Sequence, residues 1–215
     1  MTPRARILLA CVLACVNVAL WATRNLLRRV STFDRRARAP RALVVLGSGG
    51  HTSEMFSLLA RLGDDVCAER AYVVANTDAG SVRKAEVFER SRGRERARVH
   101  AIARAREVGQ SWTSSAASAA RALADAVGVV VRERPDVVIC NGPGTCVPVV
   151  LVAMVMRAVG WERPTTVFVE SACRARSLSL TGKIFYHARC VDAVFVMWER
   201  VAELYPRATF IGRAV

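Results

Sequence analysis

Two glycine-rich stretches hold the residues whose types and spacing suit chemistry on a phosphate compound. The first, Leu46-Gly47-Ser48-Gly49-Gly50-His51-Thr52-Ser53-Glu54-Met55, follows the apolar run Ala42-Leu43-Val44-Val45 and opens a helical pattern. Glycine admits positive φ and close backbone approach, and the free N–H groups and positive end of a following helix attract an anion. Gly47, Ser48, Gly49, Gly50 and Thr52 are therefore candidate phosphate-binding residues, and the motif does not by itself say which phosphate compound binds. A dinucleotide fingerprint would put glycine or alanine where Thr52 stands, and a P-loop would end in Gly-Lys-Ser/Thr, so neither pattern fits. A tight strand-to-helix turn with no ligand is the plain alternative. The second stretch, Asn141-Gly142-Pro143-Gly144-Thr145, follows Val137–Cys140 and again precedes a helix, with Pro148 near its start where the missing N–H costs nothing. Two such turns on one edge of a sheet would hold a diphosphate between them, which adds Asn141, Gly142, Gly144 and Thr145 to the candidates; a turn selected only for its geometry is the alternative.

Titratable groups stand beside both turns. Imidazole titrates near neutrality, so His51 suits a general base or a phosphate hydrogen-bond donor, a capping role being the alternative. Glu170 ends an apolar run and suits a base or an acceptor for a sugar hydroxyl, with an ion pair to Arg174 or Arg176 as the structural option. Ser177-Leu178-Ser179-Leu180-Thr181-Gly182-Lys183 ends in Gly-Lys but lacks the earlier glycine of a P-loop; Lys183 and Arg174 remain candidate phosphate contacts.

The elements that must position these groups alternate in type. Strand patterns cover Ala42–Leu46, Ala71–Ala75, Val99–Ala103, Val137–Cys140, Thr166–Val169, Ala193–Val196 and Thr209–Ile211. Helical patterns cover Ser53–Leu62, Ser81–Glu89, Ser114–Arg132, Val147–Val159, Thr181–Ala188 and Glu199–Leu204. This alternation predicts one α/β domain over 42–215, a Rossmann-like open parallel sheet covered by helices on both faces. Ligands in such sheets bind outside the carboxyl ends of the strands, where the polar residues named above fall.

Composition narrows the class. The chain has 215 residues, 53% of them hydrophobic, enough for one good-sized core plus an appendage. Its formal net charge is +14, yet only Lys84 and Lys183 are lysines, and many of the arginines crowd between Arg4 and Arg41. There is no zinc-finger spacing and no basic aromatic strand, so nucleic acid is not the expected partner. The seven cysteines include no C-x-x-C pair, which argues against a structural zinc or a disulfide framework and for a reducing compartment. No metal or cofactor is expected.

The segment Ile7 to Ala22 is apolar and, at about 16 residues, spans roughly 24 Å as a helix. The endoplasmic reticulum bilayer is thin, roughly 27 Å, and flanking arginines can snorkel across the difference. A cleaved signal peptide is the rival reading. Against it, Leu20-Trp21-Ala22 is a poor cleavage site and the arginines of Arg24 to Arg41 form a stop-transfer flank. The expected order is a short lumenal segment 1–6, a transmembrane anchor 7–22 and a basic juxtamembrane segment 23–41, with the domain on the cytosolic side by the positive-inside rule.

With these residues assembled, the chain resembles the asparagine-linked glycosylation fourteen family, the membrane-anchoring subunits of the heteromeric transferase that adds the second N-acetylglucosamine to dolichol diphosphate. The resemblance rests on the anchor, on Gly47 to Met55, on Cys140-Asn141-Gly142-Pro143-Gly144-Thr145-Cys146-Val147-Pro148, on Glu170-Ser171-Ala172-Cys173-Arg174 and on Leu178-Ser179-Leu180-Thr181-Gly182-Lys183-Ile184. It implies the acceptor half of a split GT-B glycosyltransferase, with a cytosolic catalytic subunit carrying the UDP-N-acetylglucosamine domain. It also implies that Gly47 to Thr52 meets the acceptor's diphosphate and that His51 or Glu170 assists the attacking 4-hydroxyl. The apolar tail, with Phe210, Ile211 and Val215, is the expected docking segment for that partner. A self-sufficient small transferase and a pure anchor without acceptor contact are the competing classes.

Overall fold

The computed structural model describes residues 40–63, 67, 69–104, 112–142, 144–161 and 163–213. The expected anchor at 7–22, segment 1–6 and the basic segment up to residue 39 lie outside the described residues, as does Val215. Among the described residues no helix is long and apolar enough to cross a membrane.

Strands and helices alternate throughout: β1 (Arg41–Val45), α1 (Gly50–Arg61), β2 (Glu69–Ala75), α2 (Ala79–Ser91), β3 (Arg98–Ile102), α3 (Trp112–Glu133), β4 (Val137–Asn141), α4 (Cys146–Val159), β5 (Thr165–Val169), α5 (Leu180–His187), β6 (Ala193–Val196), α6 (Glu199–Leu204) and β7 (Ala208–Phe210). The seven strands form one sheet in the order β3-β2-β1-β4-β5-β6-β7, every pairing parallel. Strand order reverses between β1 and β4, which makes the carboxyl ends of those two strands the topological switch point.

A parallel sheet covered on both faces needs strands apolar on both sides, and β1 meets that need with Ala42, Leu43, Val44 and Val45 all buried. Alternation splits them between two cores. Leu43 and Val45 join Val129 and Val130 of α3, Val149 and Ala153 of α4 and Phe185 of α5. Ala42 and Val44 join Met55 and Leu59 of α1 and Ala85 of α2 on the opposite face. Phe168 and Phe185 lie edge to face with centroids 5.3 Å apart, and truncating either side chain to alanine costs about 3–5 kcal/mol. The thiols of Cys140 and Cys146 are buried side by side, and their hydrogen bond and burial push Cys140 well above an ordinary thiol's pKa.

Two charged features are fixed by tertiary partners. Arg41 was expected to close the juxtamembrane segment, but it is the first residue of β1. Its N–H donates to Asp136 at 2.9 Å and its guanidinium pairs with Glu69 at 3.2 Å. The basic run after α2 is likewise tied to an acid. Glu89, 1% exposed, meets Arg70 at 2.8 Å, Arg94 at 3.3 Å and the Tyr72 hydroxyl. Burial alone would raise the Glu89 carboxyl, but these donors outweigh it and hold the group below its usual range.

Candidate functional site

The two glycine turns meet at the switch point. β1 runs into Gly47 and Ser48, Gly49 takes φ +65° ahead of α1, and β4 runs through Asn141 into Gly142 at φ +99°. Neither α1 nor α4 has a side-chain cap at its first turn, whereas Asp78 caps α2 and Ser179 caps α5. The N–H groups at the start of α1 and α4 are thus left to solvent or a ligand.

Gly47 and Gly142 serve the histidine between them. A methyl group on Gly47 would come within 2.8 Å of His51 Cβ and 3.0 Å of the Asn141 carbonyl, and one on Gly142 within 3.1 Å of the imidazole. Gly50 differs, because a Cβ there would meet nothing within 4 Å. Ser48, Gly49 and Gly50 are the exposed part of the turn. Thr52 is fully buried, its hydroxyl bonded to the Gly47 carbonyl and, at 2.6 Å, to Ser81, so the turn is fastened from below. Only the Thr52 backbone remains at the helix end.

His51 Nδ1 lies 2.9 Å from Asn141 Oδ1, Asn141 Nδ2 donates to Glu54 Oε2 at 3.3 Å, and Ser171 Oγ donates to Glu54 Oε1 at 2.9 Å. A carboxylate only accepts, so Glu54 turns the amide of Asn141 with its NH₂ inward and its oxygen toward the imidazole. Nδ1 must then carry the proton, which leaves the Nε2 lone pair free. This chain links α1, β4 and the loop after β5.

The carboxylate of Glu170, 3% exposed, accepts the Ser171 N–H at 3.1 Å and the Ser179 N–H at 2.7 Å. Ser179 in turn accepts the Gly182 N–H at 3.0 Å. A side chain at Gly182 would run into the Glu170 carboxylate, so that glycine belongs to this clasp between β5 and α5. A cavity of about 340 Å³ opens between the clasp and the histidine, lined by Gly50, His51, Glu54, Gly142, Glu170, Ser171, Cys173, Arg174 and Ser179. Its volume, and the imidazole, carboxylates, hydroxyls and guanidinium set around a mostly apolar lining, suit a sugar ring with a charged neighbour.

The structure therefore brings Gly50, His51, Gly142, Glu170 and Arg174 around one space. Asn141 stands behind His51. Gly144 and Thr145 sit at the start of α4 and Lys183 one turn into α5, none of them on the cavity wall. Glu54, Ser171 and Ser179 escaped the sequence reading, although the spacing of His51 and Glu54 places both on one face of α1. Lys84 escaped it as well: its ammonium donates to Ser53 Oγ at 2.8 Å and to the Gly49 carbonyl at 3.4 Å, a tertiary contact with no sequence signal. Among the described residues no group of three or more His, Cys, Asp or Glu side chains could hold a metal ion.

A family model described as "Oligosaccharide biosynthesis protein Alg14 like" matches residues 42–214. The chain belongs to the Alg14 family. The UDP-N-acetylglucosamine transferase subunit ALG14 of Homo sapiens is 39% identical over 180 residues, covering 80% of this chain and 82% of the relative. The subunit of the same name in Schizosaccharomyces pombe is 39% identical over 173 residues, covering 79% and 81%. Among solved structures, MurG of Acinetobacter baumannii aligns with a TM-score of 0.52 at 14% identity, over 75% of this chain and 43% of that one. That likeness is one of fold, and this chain spans less than half of MurG's length. All residues around the cavity fall inside the Alg14 match, as do Phe210 and Ile211, whereas 7–22 precede it.

Proposed function

We propose that this chain is the acceptor-side, membrane-anchoring subunit of a UDP-N-acetylglucosamine transferase that extends dolichyl-diphosphate-linked N-acetylglucosamine for protein N-glycosylation. The chain is anchored by 7–22 in the endoplasmic reticulum membrane, faces the cytosol, and recruits a catalytic subunit that carries the UDP-sugar. One Rossmann-sized sheet and the names of the Alg14 relatives support a split GT-B enzyme. The observation that carries the acceptor assignment is the imidazole of His51, held by Asn141 at the junction of both glycine turns and facing a cavity that Glu170 and Arg174 also line.

In this reading the N–H groups of Gly49, Gly50 and His51 receive the acceptor's diphosphate, and the acceptor sugar lies in the cavity with its 4-hydroxyl near His51 Nε2. The imidazole takes the hydroxyl proton as the oxygen attacks the anomeric carbon held by the partner. The bond from that carbon to UDP breaks, and its electron pair leaves with the nucleotide. Glu54 and Asn141 keep the tautomer that makes Nε2 the acceptor of the proton, and Glu170 keeps β5 and α5 together beneath the sugar. Arg174 at the rim offsets diphosphate charge. The test is His51→Ala in the assembled complex: general-base loss lowers kcat by about 10²–10⁴ with acceptor KM changed only a few-fold. A rise in KM with kcat intact would make His51 a phosphate donor instead.

A further inference from the structure

Helix α1 has a third side that the proposed reaction does not use. His51 and Glu54 face the cavity shared with Glu170, Thr52, Met55 and Leu59 face the core, and Ser53, Phe56 and Ala60 face a groove shared with α2. This groove is a shallow, open depression of about 540 Å³, with Arg83 and Lys84 along its α2 side. Its floor is apolar: Phe56 and Phe88 stack with centroids 4.8 Å apart, and Val87, 65% exposed, stands beside them. Lys84 marks its upper end, where the ammonium bonds both Ser53 and the Gly49 carbonyl of the glycine turn. Beyond its lower end Arg92 lies over the Phe88 ring at 5.2 Å and donates to the Ala60 carbonyl at 3.0 Å, which ties α2 to α1 there. From Ser53 to Ala60 the groove runs for about 10 Å along α1.

We propose that this groove holds the first isoprene units of the acceptor lipid. The inference rests on the acceptor reading given above. The order of chemistry along α1 is a cavity bearing His51 and Glu54, an anion-attracting turn, an ammonium and an open apolar groove, and it follows the order of groups in a glycosylated polyprenyl diphosphate. Lys84 stands where the diphosphate's outer charge would lie, since its ammonium lines the end of the groove and reaches the Gly49 carbonyl of the glycine turn. An apolar channel beginning at a phosphate site suits a branched hydrocarbon, which gains from each carbon taken out of water. A protein helix in the groove is the competing occupant.

The test uses the assembled complex and two water-soluble acceptors, N-acetylglucosamine diphosphate esterified to a two-isoprene chain or to methyl, so that no bilayer is needed. In the wild type the prenyl acceptor has the lower KM, by about tenfold or more. Val87→Asp and Ala60→Glu, both at exposed helical positions, raise the prenyl acceptor's KM by about that factor, leave the methyl acceptor's KM unchanged and leave kcat unchanged for both. Equal effects on the two acceptors, no effect on either, or loss of the partner in a pull-down would overturn the proposal. Gly50→Val separates this failure from failure of the acceptor reading. If it raises KM for both acceptors while the wild type ignores the tail, only the groove falls; if it changes neither KM, the acceptor reading falls.

Discussion

His51 can take a proton at Nε2 only while Nδ1 keeps its own, and that depends on an amide oriented by Glu54. Glu54→Gln removes the group that can only accept, so the Asn141 amide is free to turn over and present its NH₂ to the ring. We expect kcat to fall by about tenfold with acceptor KM nearly unchanged, less than for His51→Ala, because Glu54 positions rather than reacts. An equal rise in KM would place Glu54 on the acceptor instead. Asn141→Ala removes the acceptor beside Nδ1 and should likewise lower kcat by about tenfold with acceptor KM nearly unchanged; an unchanged kcat would remove Asn141 from the support of His51. The glycines show what sequence could and could not convey at this scale. Gly49 has the positive φ that a glycine turn suggests, but Gly47 and Gly142 make room for an imidazole, a purpose visible only once β1 and β4 are side by side.

At the scale of elements, every expected strand and helix is present and none is displaced by more than about three residues, because apolar runs of strand length alternate with longer amphipathic ones. Helix starts were the least legible boundaries. α1 begins at Gly50, not Ser53, since a glycine turn can enter a helix without a capping side chain. The cluster of Arg70, Tyr72 and Glu89 was also illegible: it joins β2 to α2, and nothing local marks Glu89 as buried among the charged residues around it. Glu89→Ala leaves the Arg70 guanidinium, 3% exposed, without its carboxylate, and should cost about 3–5 kcal/mol by thermal or urea unfolding. The pH dependence has a definite sign. The folded-state pKa of Glu89 is depressed, so its contribution is complete above the unfolded value of about 4.3 and is lost as pH falls through the lower folded value. The wild type therefore loses stability over that acidic window and Glu89→Ala loses less; parallel curves would show that the pair contributes nothing.

For the whole molecule, the proposed function needs a second sheet on another chain. The sheet ends at β7, where Phe210 is 47% and Ile211 37% exposed, and Arg213 stacks on Trp198 at 4.4 Å while its carbonyl accepts from Arg61 at 3.1 Å. The tail is thus fastened with its apolar side chains outward. Phe210→Asp with Ile211→Asp should abolish co-purification of the catalytic subunit and leave the Tm of this chain nearly unchanged; retained binding moves the docking surface elsewhere. The purified chain alone should transfer no sugar from UDP-N-acetylglucosamine, and turnover without the partner would contradict the split enzyme. The account depends most on this chain's holding the acceptor, and Gly50 offers the cleanest probe, because a side chain there meets only open space in the protein but would stand in the path of a diphosphate. The decisive measurement is steady-state kinetics of the assembled Gly50→Val complex, with UDP-N-acetylglucosamine binding measured in parallel. The account predicts an acceptor KM raised by about tenfold or more, from loss of close backbone approach at the helix end, with the Kd for UDP-N-acetylglucosamine unchanged. A wild-type acceptor KM, or a loss confined to the nucleotide sugar, would contradict it.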